Sequence, residues 1–450
     1  MTQTAKDQPA QPRALLSVPD GIFLMVGMVL GVGIFKAPSM VAGNTADAYQ
    51  FLGAWLFGGF ASLCGALVYA ELSSRYPHTG GEYSFLARGL GRGPSFLFAW
   101  SRMTVIQTGA IAAVSFVFGD YASEIYSFGE KSSAIWAGIG VVVLTLVNFV
   151  GTLHSKLMQK VMEITLIAAL IGMAIAALVV GGPVQTQPAQ PVDAGKLSYG
   201  LAMVFVLLTY GGWNEAAYIA GEVRDARRNM TRILVWGIVA VTALYMLVNV
   251  GYLVALGMTG MAQSKAVAAD VMRMVAGDKG AIVLALIVCV SAFTTMNAAI
   301  FTGARTNFAL GQDYRLFGFL GNWRERGSTP ANALILQGVV SLLLVYVGST
   351  TPDGFSAMVA YTSPVFWTFF LLTGVTLFVF RARGGEAPAF KVPLFPLTPL
   401  IFIGTCAYML WSSIDYIRNP IFGPKFGDMV LGGIVIMAVG IPMYWLARRK

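Results

Sequence analysis

Two glycine clusters in the middle of apolar runs carry the first chemical signal of this 450-residue chain. One reads Gly27-Met28-Val29-Leu30-Gly31-Val32-Gly33-Ile34-Phe35 and the other Tyr210-Gly211-Gly212-Trp213-Asn214-Glu215. Glycine tolerates unwound backbone, and a helix broken there leaves N–H and C=O groups without intrahelical partners. Half-helices starting near Ile34 and Trp213 would aim N–H groups and positive dipole ends into a cavity, where they suit a carboxylate. Half-helices ending near Leu30 and Tyr210 would offer carbonyls, which suit an ammonium group. One small molecule carrying both groups is an α-amino acid. Close helix packing through small residues explains either cluster alone. Two clusters 180 residues apart, at matching places in two halves, favour the site.

Other polar groups in apolar runs are candidates for coupling. Glu215 follows the second cluster directly, as a proton-coupling carboxylate or as a hydrogen-bonding partner for a neighbouring helix. Ser291, Thr294 and Thr295 could supply hydroxyl ligands to sodium, or bond back to their own helix. Lys36 lies just beyond the first break, placed to attract a substrate carboxylate or to serve packing. Glu163 and Arg102 read as structural or interfacial ions. Glu71, Glu82 and Glu222 stand beside arginines and read as gate-forming or surface pairs.

Enzyme chemistry has little material. The two histidines, His78 and His154, lie in polar turns, and the three cysteines, Cys64, Cys289 and Cys406, lie in apolar stretches. No zinc or disulfide spacing results, so neither metal nor cofactor is expected. The runs GVGIFK and GLGRG lack the strand context of a nucleotide loop.

The elements that must position these residues follow from composition. Hydrophobic residues make up 56% and charged residues 11%, with mean hydropathy +0.70, too little charge to clothe a soluble surface. Runs of about 20 apolar residues mark membrane-crossing helices. They fall at 17–43, 50–74, 94–122, 132–151, 157–181, 197–222, 231–257, 280–310, 331–348, 354–380, 394–416 and 427–447. With both termini on one side, 21 of the 30 basic residues fall on that side and 7 on the other. This bias places both termini in the cytoplasm and accounts for the net charge of +9 without nucleic acid. Five spans separate the two breaks. An odd number means that the second set of five crosses in the opposite sense.

The chain resembles the amino acid–polyamine–organocation transporter superfamily, near its L-type amino acid transporter branch and bacterial relatives. The resemblance rests on GVGIF at 31–35, YAELSSRYPHTGGEYSFL at 69–86, WSRMTVIQTGAIAAVSFVFGDY at 100–121, YGGWNEAAYIAGEVRDARRN at 210–229, SAFTTMNAAIFTGARTNFALGQD at 291–313 and FKVPLFP at 390–396. It implies an all-α polytopic membrane protein with 12 transmembrane helices. The implied arrangement is a LeuT-like 5+5 inverted repeat with helices 1 and 6 broken at mid-membrane. Substrate contacts are then implied at Val29, Val32, Gly33, Ile34, Thr209 and Gly211, around the breaks at Gly31 and before Trp213. Val105 and Ile106 would face the substrate side chain, and Leu208 would stand where relatives carry an aromatic lid. Val32 replaces a serine common in relatives, so carboxylate recognition would rest on backbone amides. A lysine that some relatives carry in span 5 has no counterpart within Leu166–Ala169.

The expected organisation is a cytoplasmic tail at 1–16, a first five-helix repeat at 17–181 and an external connector at 182–196. A second repeat at 197–381 and helices 11–12 at 382–450 complete it. The expected function is secondary transport of an amino acid, neutral by the apolar pocket positions, across the plasma membrane. It works as exchanger or proton-linked carrier, with a sodium symporter or a non-transporting amino acid sensor as alternatives. The partners are an amino acid and the bilayer, with no nucleic acid and no disulfide-linked subunit.

Overall fold

A computed structural model describes residues 17–76, 81–151, 156–181, 198–216, 223–324, 329–384, 388, 390–418 and 424–447. The expected tail at 1–16 and connector at 182–196 lie outside them, as does Glu222. The described residues are helical, with one isolated bridge between Arg324 and Thr329 as extended pairing. Among the described residues, ten helices are long and apolar enough to cross a membrane, and the chain is a multi-pass membrane protein. Only helices or closed barrels satisfy the backbone in hydrocarbon.

The first span is in pieces: α1 (Val18–Val29), a 3-10 turn at Val32–Phe35 and α2 (Ala37–Ala42). The following crossings are α3 (Ala48–Arg75), then α5 (Arg92–Ser101) running through a π-helical turn at Arg102–Ile106 into α6 (Gln107–Ile125). The short α4 (Gly81–Gly89) joins α3 to α5; α7 (Ser132–Val150) and α8 (Lys156–Val180) follow. The sixth span is again in pieces, α9 (Tyr199–Thr209) and α10 (Trp213–Ala216). Then come α11 (Ala226–Gln263), α12 (Val267–Asp313), α13 (Ala331–Gly348), α14 (Gly354–Arg383), α15 (Leu397–Arg418) and α16 (Pro424–Ala447). Helices α11 and α12 bend at Gly257 and Gly277.

Local chemistry sets the helix starts. Ser17 and Asp20 form a capping box at α1, and Asp47 and Asp353 cap α3 and α14 through their carboxylates. Large apolar side chains such as Val150, Val179, Trp445 and Leu446 are exposed on α7, α8 and α16, as lipid-facing residues must be. Between helices, polar side chains bond where no water is available. Gln107 donates to the Ala299 carbonyl (2.8 Å), Asn148 to Asn297 (2.6 Å) and Gln337 to the Ile300 carbonyl (3.1 Å), tying α6, α7 and α13 to α12. The π turn leaves backbone carbonyls badly placed for the helix ladder, and Tyr361 donates to one of them, Thr104, at 3.0 Å.

Candidate functional site

The first break opens where α1 ends. Leu30 leaves helical geometry at ψ 72°, and Gly31 is fully extended at ψ −177°. The turn that follows is a 3-10 turn of four residues, so the N–H groups of Val32 and Gly33 have no carbonyl of their own turn to bond, while that of Ile34 faces the Gly31 carbonyl. Gly31 is half-buried. A side chain there would meet nothing nearer than the Val29 carbonyl, at 3.9 Å. The second break opens after Thr209. Gly212 takes φ 108°, a conformation that L side chains rarely adopt, and α10 restarts at Trp213.

The two breaks face each other. Any side chain at Gly212 would collide with the Met28 carbonyl, and one at Gly33 would press on Thr209 at 3.0 Å. The Tyr245 hydroxyl, from α11, lies 3.0 Å from the Val29 carbonyl and 3.1 Å from the Thr209 carbonyl, and shares its proton between them. These are the last residues of the two helices before their breaks. Tyr245 itself is fully buried and stacks edge-on against Tyr210 and Trp55.

The residues named from sequence fall as follows. Val29, Val32 and Ile34 are buried at the first break, and Thr209 is buried and Gly211 half-buried at the second. Leu208 is half-buried one residue before Thr209. Trp213 turns its ring into a cluster with Tyr69, Phe370 and Phe402, at 5.2, 5.5 and 5.9 Å. Val105 and Ile106 lie on the π turn, which packs against α14 and α16, while α6 packs on the 3-10 turn of the first break. The Thr294 hydroxyl bonds back to the Val290 carbonyl at 2.9 Å and reaches the Met162 sulfur on α8 at 3.2 Å. Ser291 and Thr295 are half-buried on α12. Glu215 sits in α10, and its side chain lies outside the described residues. Among the described residues, no three His, Cys, Asp or Glu side chains converge as a metal site requires.

Lys36 is where the structure adds most. Its side chain is 1% exposed, and its ammonium donates to Asp120 of α6 (2.8 Å) and to the Lys265 carbonyl (3.2 Å). It also lies 2.9 Å from Asp353. The other Asp353 oxygen accepts the Ser356 N–H at 2.7 Å and caps α14. One carboxylate therefore starts a helix and holds the first span. Lys36 is answered by two acids and is not free to pair with a substrate carboxylate. Around it, Tyr121 donates to the Phe35 carbonyl (3.0 Å), Tyr252 to the Ile34 carbonyl (3.4 Å) and Ser39 to the Ser264 carbonyl (2.9 Å).

At the opposite end of α14, Arg381 grips Glu71 of α3 with two N–H groups, one of them at 2.8 Å. Glu71 also accepts the Val392 N–H at 2.7 Å and lies 3.9 Å from Arg75. Asn214, just after the second break, donates to Glu82 of α4 at 2.9 Å. Glu163 reaches from α8 to the backbone of Gly27 on α1, and its Oε1 is buried with no hydrogen-bond partner among the described residues.

Sequence reasoning missed Tyr245, Asp120 and Asp353. The two acids stood at the ends of apolar spans, which is itself a functional signal. Tyr245 had none, since a tyrosine in an apolar run reads as packing.

Comparison with known proteins bears on the family of the chain. The amino acid permease family profile matches residues 16–439. The b(0,+)-type amino acid transporter 1 of Homo sapiens is 30% identical over 394 residues, covering 84% of this chain and 78% of that protein. The serine/threonine exchanger SteT of Bacillus subtilis is 25% identical over 436 residues, 95% of each chain. The cystine/glutamate transporter of Homo sapiens is 26% identical over 457 residues, 98% of this chain and 87% of that one.

Proposed function

The chain belongs to the amino acid permease family, and on that premise we propose that it exchanges amino acids across the membrane by alternating access. The observation that carries this reading is the pair of facing breaks pinned by one hydroxyl, Tyr245, at the carbonyl ends of α1 and α9. The amides of Val32 and Gly33, with Ile34 beside them, then take the substrate carboxylate, and carbonyls at the ends of α1 and α9 take its ammonium. The apolar character of Val29, Val105, Ile106 and Leu208 favours a neutral side chain. The relatives' printed names include serine/threonine exchange and cystine/glutamate transport, so the substrate side chain is this chain's own property.

The two short pieced spans and the ten long helices make twelve crossings in this reading. The first ten form two inverted sets of five. The bias in basic residues places both termini in the cytoplasm. The Lys36 cluster then closes the external side over the site, and the Glu71 cluster lies on the cytoplasmic side. The three cysteines of the chain are buried and unpaired, which favours operation without a disulfide-linked subunit.

The test is uptake of labelled amino acids into proteoliposomes, with and without unlabelled amino acid inside, under proton and sodium gradients. Exchange predicts uptake that needs internal substrate and ignores both gradients. Ligand binding without flux under any condition would replace the reading by a sensor. Proton-linked uptake is the second reading, favoured by the Glu163 carboxyl against α1, whose buried Oε1 has no hydrogen-bond partner among the described residues. It predicts gradient-driven uptake into empty vesicles that Glu163→Gln abolishes.

A further inference from the structure

At the Glu71 end of the molecule, two guanidinium groups rest on aromatic rings. Arg305 of α12 lies 3.2 Å from the centre of the Phe301 ring, and Arg324 lies 4.6 Å from that of Phe149, at the end of α7. Among the described residues neither has a carboxylate within ion-pair distance. The next acid along α12, Asp313, is about two helical turns beyond Arg305. The two sites are joined by packing. Phe308 follows Arg305 on the same helix face and meets Trp323 edge-on at 5.1 Å, and Trp323 directly precedes Arg324.

The patch has the composition of a membrane boundary. Trp323 is 42% exposed, and the 3-10 turn at Arg315–Gly321 buries Phe317 and Leu320 while exposing Leu316 and Phe319. Exposed Trp, Phe and Leu beside arginine is the signature of a segment seated at headgroup level. A guanidinium stacked through its face keeps its N–H edge available for the paired oxygens of a phosphate. Arg305 spends one N–H on the Phe301 carbonyl, at 3.2 Å, and the others remain. A zwitterionic headgroup brings its own ammonium and gains little at two cations that no carboxylate of the described residues answers, whereas an anionic headgroup gains from both.

We propose that Arg305 and Arg324 form a binding site for the phosphate of an anionic phospholipid of the phosphatidylglycerol class. Its acyl chains would lie along the exposed apolar surface of α7 and α12.

The test does not depend on transport. Purified protein is mixed with equal amounts of phosphatidylglycerol and phosphatidylcholine, and bound lipid is read by native mass spectrometry. The wild type retains phosphatidylglycerol in preference. Arg305→Gln combined with Arg324→Gln lowers that retention about 25-fold, while Lys131→Gln with Lys279→Gln, an equal charge change elsewhere, leaves it. Should the double variant not fold, Arg324→Gln alone gives about a fivefold loss. Equal retention of both lipids by the wild type, or unchanged retention in the arginine variants, overturns the proposal. Displacement of the lipid by inorganic phosphate alone also overturns it, since the site would then be one for a free anion.

Discussion

The two ends of α14 carry ion clusters of opposite design. At one end a cation, Lys36, is shared by two carboxylates, Asp120 and Asp353. At the other an anion, Glu71, is held by Arg381 and lies near Arg75. In both cases the α14 residue suits the helix dipole, acid at the N-terminus and arginine at the C-terminus. The difference lies in what each cluster ties down. Glu71 joins α3 to α14 and to the Val392 amide, all parts of long helices or their direct extensions. Lys36 joins long helices to a six-residue helix and a four-residue turn that are covalently continuous with a break. A cluster between long helices is a staple. A cluster on a short segment beyond a break can part when that segment moves, and so can serve as a gate.

The largest expected effect tests the staple. Glu71→Ala strands Arg381 and the Val392 N–H. Breaking one partner of a buried pair costs about 3 to 5 kcal/mol. Thermal unfolding in detergent, followed by loss of the monodisperse species, reports the loss. Molecules that survive should exchange substrate at close to the normal rate. A stable variant that no longer exchanges would make the Glu71 cluster a gate and erase the contrast.

Lys36→Met comes next. It leaves Asp120 and Asp353 facing each other and releases α2, so exchange should slow about tenfold, a barrier change of about 1.4 kcal/mol. The native cysteines are buried, so a reporter placed by Met40→Cys on α2 should react faster with an impermeant thiol reagent. Adding Asp120→Asn to Lys36→Met removes the repulsion and should recover part of the rate. Normal exchange in Lys36→Met would demote this cluster to packing.

Tyr245→Phe probes the middle of the molecule, between the clusters. It removes one hydrogen bond shared by two carbonyls, worth about 1 kcal/mol. The expected result is a KM raised about fivefold with both ends still closed to labelling. An unchanged KM would detach Tyr245 from the site.

Much of this contrast was hidden from sequence reading for a physical reason. Ten long apolar helices and both breaks were legible because they are local: apolar runs mark crossings, and glycines within them mark interruptions. The bond of Thr294 to Val290 was legible too, since a serine or threonine in a helix commonly bonds to the preceding turn. Lys36 was visible as an intramembrane charge, but its partners were not. Asp120 is 84 residues away and Asp353 lies in the other half of the chain, so only the fold brings the one cation and two anions together. The same holds for Tyr245, one of 17 tyrosines, whose hydroxyl matters only because α1 and α9 end beside it. The π turn at Arg102–Ile106 has no sequence marker that periodicity could register.

The smallest expected effect separates the clusters by solvent. The Asp353 side chain is 30% exposed and that of Glu71 is fully buried. Mobile ions reach the first pair and scarcely the second, and at 1 M salt the screening length falls to about 3 Å. Raising ionic strength should therefore increase labelling of the Met40→Cys reporter by about twofold or less, the scale of an exposed ion pair, and leave thermal stability unchanged. Because Asp353 also accepts the Ser356 N–H at 2.7 Å, salt loosens its hold on Lys36 without uncapping α14. The effect should thus vanish in Lys36→Met, where no ion pair remains to screen. A salt effect that persists in that variant would locate the screened interaction elsewhere, with the Arg273–Glu124 pair, itself partly exposed, as the alternative.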